Sequence, residues 1–431
     1  MLSFRGNPTC SELLKNNSSY FKYADDGTIT FIHQNLDVCH KIAQEACNTI
    51  YSWCQRWKLA INCAKNKTEA IIMQHKGGKK TNAHNLHNLR IGDQEILFVK
   101  KSKVLGVIID DQLTFKNHAS TQLRNCWYTW YTLCKDTTTV RGLNQSSLTA
   151  LFKSVVVTKL MYAAPIWLQE NMYFFTDFWS RAILKMSGSE YHPSRLVTEI
   201  ALGIPPLQLQ LNEISLKFVV KNLKDPTFKG IFYQLEESRR HPYHNHIRLL
   251  QDYIGWKRAC TDEAGKVSNR HCSISDITDE ELYYTRQTIK DYTNHMWTQH
   301  VRENIDPESE IAEEIDSGSI YIQNKTVKYL FPRNSKRWFD SKVLSLLHGN
   351  SMDFGKFKSS IKRKGNPYCP VCGILDDAYH QIYECTKFAC EHRCLIPASR
   401  DRYTYGLKIT MSPGRECLTN LRKMAQAIFG D

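Results

Sequence analysis

The sequence predicts an α+β protein in which short strand pairs come first, a mostly helical stretch follows, and a small Cys/His-rich element lies near the end. Three observations predict it. Aromatic and β-branched residues flank an Asp26-Gly27 dipeptide, apolar residues recur at a helical period from Leu36 to Trp57, and Cys369, Cys372, His380 and Cys385 follow the pattern C-x2-C-x7-H-x4-C.

The first element is a hairpin. Tyr20-Phe21-Lys22-Tyr23 and Thr28-Ile29-Thr30-Phe31 suit a pleated surface, and Asp26-Gly27 is a turn dipeptide. Asp25 and Asp26 then lie at a strand-turn tip. Adjacent strand residues face opposite ways, so a metal favours one of the two, and Asp25 is preferred. An ordinary hairpin with an unliganded acidic turn has the same pattern. Leu36, Ile42, Ala43, Ala46, Ile50, Trp53 and Trp57 give the next segment one apolar helical face. Strand-like runs follow at Ala70-Ile71-Ile72-Met73 and from Val104 to Asp110.

Beyond residue 118 the pattern is mostly helical. Leu148 to Leu168 reads as a buried helix, with Ser146 or Ser147 as its cap and an end near Pro165. Lys153 and Lys159 interrupt it, so it is too polar for a bilayer. Arg239 to His246 is polar and His-rich and reads as a solvated linker. Thr278-Asp279-Glu280-Glu281 has capping-box spacing and opens a helix through about Val301. The acidic run from Glu303 to Asp316 reads as a solvated connector that keeps nucleic acid away.

The C-terminal cluster is the strongest chemical signal. Two cysteines separated by two residues place both sulfurs on one ion at about 2.3 Å, and a later His and Cys complete a tetrahedron. Four protein ligands, Cys369, Cys372, His380 and Cys385, leave no open position, which makes this a structural Zn2+ and not a hydrolytic one. Cys390, His392 and Cys394 are alternatives to His380 or Cys385. Five of the 15 cysteines fall between Cys369 and Cys394. Cys39, Cys47, Cys54, Cys63, Cys126 and Cys134 are instead scattered on apolar faces and read as small buried hydrophobes. Few apolar residues follow Tyr368, so the metal is expected to supply much of the folding energy there.

The composition points to a polyanionic partner. The 431 residues carry 57 Lys+Arg against 43 Asp+Glu, a net charge of +14, and neutralised phosphates release counterions. Three basic patches stand out: Lys76, Lys79 and Lys80; Lys100, Lys101 and Lys103; and Lys362, Arg363 and Lys364, the last interleaved with Phe354, Phe357 and Tyr368. Cations on phosphates with aromatics on bases suit single strands. No run resembles a signal peptide, and 15 cysteines belong in a reducing compartment. The expectation is a nuclear or cytoplasmic protein, neither secreted nor in a membrane, that binds RNA and DNA.

A family resemblance adds to this reading. Tyr23-Ala24-Asp25-Asp26, then Lys67-Thr68 before a strand, the Leu105-Gly106 hairpin, Tyr162 to Trp167, Leu202 to Leu207 and the terminal Cys/His cluster come in an order that resembles the reverse transcriptases of jockey-like and LINE-like non-LTR retrotransposons. The resemblance implies a partial polymerase palm over 1–118, a helical thumb-like region over 119–235, a connector over 236–335 and a basic C-terminal region with a CCHC zinc knuckle over 336–431. It also implies RNA-templated deoxynucleotide transfer with two Mg2+ ions on Asp25, Asp26 and a further Asp, with Lys67 protonating pyrophosphate and Leu105 and Gly106 in a primer-grip hairpin. The family's earlier catalytic Asp, Gln-Gly motif and fingers have no counterpart in residues 1–22. The chain therefore reads as the C-terminal part of such a polymerase, truncated before the Asp-Asp hairpin and catalytically incomplete alone. A non-catalytic nucleic-acid binder and a zinc-stabilised interaction module or relic are the competing readings.

Overall fold

The computed structural model describes residues 2–3, 18–23, 26–64, 67–73, 86–137, 143–187, 194–238, 241, 243–261, 273–322, 330–332, 335–348, 354–356, 366–389, 396–411 and 415–430. They form a mixed fold of helices and small antiparallel sheets. The chain divides into two units, Met1–Thr121 and Gln122–Asp431. No helix among the described residues is long and apolar enough to cross a membrane.

In the first unit, β1 (Leu2–Ser3), β2 (Ser18–Tyr23) and β3 (Asp26–Phe31) form a sheet in the order β1-β3-β2. Tyr23 pairs with Asp26 and Lys22 with Gly27, so the chain reverses between Tyr23 and Asp26. Asp26-Gly27 is thus strand and not turn. The reason is that β3 is the central strand: Gly27 also pairs with Leu2 and Asp26 with Ser3, which extends the ladder through both residues.

Helix α1 (Leu36–Arg56) starts where Asn35 caps it, its side-chain oxygen accepting from the backbone N–H groups of Asp37 (2.8 Å) and Val38 (3.3 Å). Ala43, Cys47, Ile50, Trp53 and Cys54 bury one face against Leu89, Ile91 and Ile96 of β4 (Leu89–Ile91) and β5 (Gln94–Ile96). Trp57, expected on that face, is the C-cap and is exposed, because its backbone has already left the helix. Gln44 stands in for a missing strand neighbour. Its amide donates to Arg90 O at 2.8 Å and accepts from Arg90 N at 2.8 Å, which satisfies the open edge of β4. The expected strand at Ala70–Met73 contracts to one bridge, Ala70 with Phe98. β6 (Lys101–Val104) and β7 (Val107–Asp110) form a hairpin turned by Leu105 (φ 46) and Gly106 (φ 90). Helix α2 (Lys116–Thr137) follows and carries the boundary between the units.

The second unit is helical among its described residues. α3 (Gln145–Leu151) is capped by Asn144 and not by Ser146 or Ser147, because the Asn144 side chain accepts from Ser147 N at 2.8 Å. It runs through a π segment, Phe152–Val157, into α4 (Thr158–Leu160). The helix ends before Ala163, whose φ of 52 breaks it. Pro165 instead opens α5 (Ala164–Trp167), where its missing N–H costs nothing. α6 (Thr176–Ser187), α7 (Arg195–Leu202), α8 (Leu207–Asn222), α9 (Pro226–Glu237) and α10 (His244–Thr261) follow. A core of Leu216, Val219, Val220, Phe232, Ile247, Leu250, Tyr253 and Ile254 joins α8, α9 and α10.

The described part of the His-rich stretch is not a solvated linker. Buried His246 bonds Pro165 O at 2.9 Å through Nε2, and the Tyr243 hydroxyl donates to Ile166 O at 2.6 Å. The capping box at Thr278 forms in both directions, with Glu281 Oε2 2.9 Å from Thr278 N and Glu281 N 3.3 Å from Thr278 Oγ1. Yet α11 starts seven residues beyond it, as Arg286–Glu303 capped by Thr285. Lys257 Nζ takes up the carbonyls of Glu280, Glu281 and Tyr283 at 2.9 to 3.2 Å, the acceptors a helix would need to propagate. The acidic run is likewise more than a connector. Its Ile311, Ala312 and Ile315 are buried on α12 (Glu310–Asp316).

Three further helices, α13 (Arg337–Leu347), α14 (Tyr405–Met411) and α15 (Arg415–Phe429), pack on one another, and α14 also packs on α7. Arg422 of α15 joins them, donating to Asp340 Oδ1 at 2.9 Å, to Ser335 Oγ at 2.7 Å and to Leu330 O. Gly406 lets α14 reach the end of α13, since a Cβ there would stand 2.0 Å from Leu347 O.

Candidate metal centre

Cys369 and Cys372 come from one short loop. Tyr368 bridges Leu375, Cys369 N donates to Ile374 O at 2.7 Å and Gly373 N to Cys369 O at 2.9 Å, so the loop folds back on itself. Gly373 takes a φ of +68 at its tip, a conformation that costs glycine nothing. Asp377 starts the next turn by accepting from His380 N at 2.8 Å. A single π turn, His380–Glu384, then carries the chain to Cys385, whose N–H donates to His380 O at 2.7 Å.

These turns bring the four expected ligands together, with all their ligand atoms within 4.8 Å of one another. Cys385 Sγ lies 3.9 Å from Cys369 Sγ and 3.8 Å from Cys372 Sγ. A tetrahedral zinc with bonds of about 2.3 Å needs sulfurs about 3.8 Å apart. His380 supplies a second test of fit. It is fully buried, yet neither ring nitrogen has a hydrogen-bond partner among the described residues. Such an orphan is costly in a folded protein and becomes satisfied when one nitrogen ligates a metal. Nδ1 has Glu384 Oε2 3.5 Å away, in the position of the carboxylates that orient ligating histidines.

The thiols are not equivalent. The Thr386 hydroxyl and N–H, 3.3 and 3.4 Å from Cys372 Sγ, hold that thiol down to about 6, whereas burial pushes Cys385 up. Cys372 therefore ionises before Cys385. The residues fit Zn2+ in a closed, structural site, since three thiolates and an imidazole fill a tetrahedron.

A polar clamp fixes the outer face. Arg402 Nη2 donates to Glu384 Oε2 at 2.5 Å, its Nη1 lies 3.1 Å from Asp377 Oδ2, and its guanidinium covers the Tyr379 ring at 4.8 Å. Lys356 Nζ reaches the same Asp377 oxygen at 3.3 Å. Sequence reasoning missed Asp377, Glu384, Thr386 and Arg402. Asp377, three residues before His380, was findable as a cap. Arg402 was not, because its partners lie 18 and 25 positions away.

The other expected site residues lie apart from this centre in the chain. Asp26 starts β3, while Asp25 lies outside the described residues, as do Lys76, Lys79, Lys80, Lys362, Arg363, Lys364, Cys390, His392 and Cys394. Lys67 is exposed in a turn closed by Lys67 N to Ala64 O at 3.0 Å. Leu105 and Gly106 are the turn of the β6-β7 hairpin, and Lys100, Lys101 and Lys103 are exposed on and before β6. Asp110 is buried and used by its own turn: its oxygens accept from the N–H groups of Gln112, Thr114 and Phe115 at 3.1, 3.0 and 2.7 Å. Among the described residues, the Cys/His group alone gathers three or more His, Cys, Asp or Glu closely enough for a metal. Compared with protein-family models, curated proteins and solved structures, the chain has no match in any of the three.

Proposed function

We propose that this chain is a zinc-bearing, nucleic-acid-binding part of a non-LTR retrotransposon reverse transcriptase, and that alone it binds RNA and DNA without completing the polymerase reaction. The observation that carries the reading is the Cys/His tetrahedron, which lies downstream of the β2-β3 and β6-β7 hairpins in the order the resemblance implies. On this reading residues 1–118 are palm-derived and 119–235 thumb-like. Leu105 and Gly106 supply the tight backbone turn of a primer grip, with Lys101 and Lys103 exposed beside it. The charge of +14 supports a polyanionic partner.

Catalysis by the chain alone is opposed by a shortage of carboxylates. A two-ion clamp about 3.5 to 4 Å across needs several convergent oxygen ligands, and the buried Asp110 of the notional palm is spent on its turn. The described residues do not fit a pair of Mg2+ ions.

The test measures binding and polymerisation together. Affinity for single-stranded RNA or DNA is expected to fall with salt at a slope of about −0.7 per phosphate contacted, and template-primed incorporation with Mg2+ or Mn2+ is expected to be absent. A salt-independent or absent affinity overturns the binding reading. Robust incorporation lost in Asp25→Ala overturns the catalytic half.

A further inference from the structure

The part of α2 that belongs to the second unit presents an exposed stripe unrelated to the metal centre. Arg124, Tyr128, Tyr131 and Lys135 are spaced four, three and four residues apart, which puts them on one helical face. Tyr128 is 75% exposed and Tyr131 55%, and both cations are exposed. The opposite face, Cys126, Trp130 and Cys134, is buried, so the core fixes the direction of the stripe.

The rings are already arranged to receive a flat partner. Trp127 stacks on Tyr131 with centroids 5.3 Å apart and planes 18° apart, and it is itself held edge-on by Phe178 of α6 at 4.8 Å. Trp127 therefore holds Tyr131 on one side, and Lys185 Nζ of α6 stands over the Tyr131 ring, 5.8 Å from its centroid. Arg124, Lys135 and Lys185 thus supply three cations to this side of α2, and the Asp177 carboxylate of α6 is paired with Arg181 at 2.9 Å.

From this geometry we infer that the α2 face is a stacking platform for single-stranded nucleic acid, with bases on Tyr128 and Tyr131 and phosphates on Arg124, Lys135 and Lys185. The inference rests on the reading of the chain as a nucleic-acid binder and assigns the contact to residues outside the basic loops. Charge complementarity selects this occupant. Phenol rings beside three cations match a strand that alternates flat bases with anions, and aromatic stacking tolerates any base. From Arg124 to Lys135 the helix spans about 16 Å, room for a few nucleotides.

The test uses the full chain with zinc and fluorescein-labelled oligo-dT and oligo-U. Tyr128→Ala and Tyr131→Ala are each expected to raise Kd about fivefold or more, with Tyr→Phe at both positions restoring binding, since stacking needs the ring and not the hydroxyl. Oligonucleotides carrying 5-iodouracil are expected to crosslink to the peptide containing Tyr128 and Tyr131. Because both side chains are exposed, the variants should keep the wild-type far-ultraviolet circular dichroism. A chain that binds, but whose double Ala variant binds equally well and crosslinks only elsewhere, overturns the α2 platform and leaves the broader reading standing. A chain that binds neither probe at low salt overturns both.

Discussion

Glu199 and His348 show how burial sets the chemistry of single groups in the helical unit. Glu199 on α7 bonds Arg195 Nε at 2.8 Å through one oxygen, while its other oxygen is buried without a partner among the described residues. Burial pushes its carboxyl up to about 7 against the pull of Arg195. His348, beside Thr198 at 3.3 Å, is pushed down to about 3 by burial and stays neutral. These shifts act on stability with opposite signs. The folded state keeps the Glu199 proton that an unfolded chain releases above about 4.5, so this group makes stability fall as pH rises from about 4.5 to 7. An unfolded chain protonates His348 below about 6.5 while the folded state does not, so this group makes stability fall as pH drops from about 6.5 to 3. Urea unfolding across pH 4.5 to 7.5 separates them. Glu199→Gln is expected to gain on the order of 2 kcal/mol relative to wild type over that range, and His348→Gln is expected to lose stability less steeply than wild type on acidification. Parallel pH curves for wild type and Glu199→Gln would mean that the carboxyl titrates normally.

Elements show the same competition between local pattern and distant contact. Gly406 and Gly255 both lie in helices, and both would be expected to gain from alanine on propensity alone. Their surroundings give opposite signs. A Cβ at Gly255 meets nothing within 4 Å, whereas one at Gly406 would stand 2.0 Å from Leu347 O. Gly255→Ala is expected to stabilise by about 0.5 to 1 kcal/mol, and Gly406→Ala to destabilise by about 3 kcal/mol by pushing α14 off α13. Denaturant midpoints with unchanged slopes would show this, and equal shifts would mean that α14 and α13 are not in contact. Such contacts mark the limit of what the sequence reveals. α1 was legible because Asn35, a 3.6-residue apolar period and a 21-residue run agree at every level. The four metal ligands were legible because their spacing is itself the geometry. The start of α11 was not, since Lys257 draws off carbonyls from more than 20 positions away. Nor was α12, whose three buried residues are hidden in an acidic run until Lys408 pairs Glu310 at 2.9 Å and Glu314 at 2.7 Å.

At the scale of the whole chain, the Cys/His centre belongs to the helical unit and is not a detachable tail. The expectation of a coreless terminal region fails because Tyr405, Leu407, Ile409, Met411, Leu418, Leu421 and Met424 are all buried. They reach that burial through upstream partners. The Tyr405 hydroxyl donates to Leu346 O at 2.7 Å, Arg400 N to Glu310 Oε2 at 3.0 Å, and Arg422 to Asp340. Arg402 then couples these helices to the ligand-bearing turn through Glu384 and Asp377. Metal binding in small zinc peptides contributes on the order of 10 kcal/mol or more to folding, and a zinc ion held here would share that energy with a core extending back to α7. Removing zinc from the full chain with a chelator is therefore expected to lower the melting temperature of the whole helical unit without unfolding the terminal region first. Cys369→Ser or Cys372→Ser is expected to abolish zinc binding and to reproduce that shift. A fragment from Phe354 to the C-terminus is expected to bind one zinc yet leave α14 and α15 exchanging amide protons freely, because α13, α12 and α7 are gone. Hydrogen exchange on both species decides it. Protected α14 amides in the isolated fragment, or chelation that exposes only residues 366–389 in the full chain, would make the knuckle an independent module.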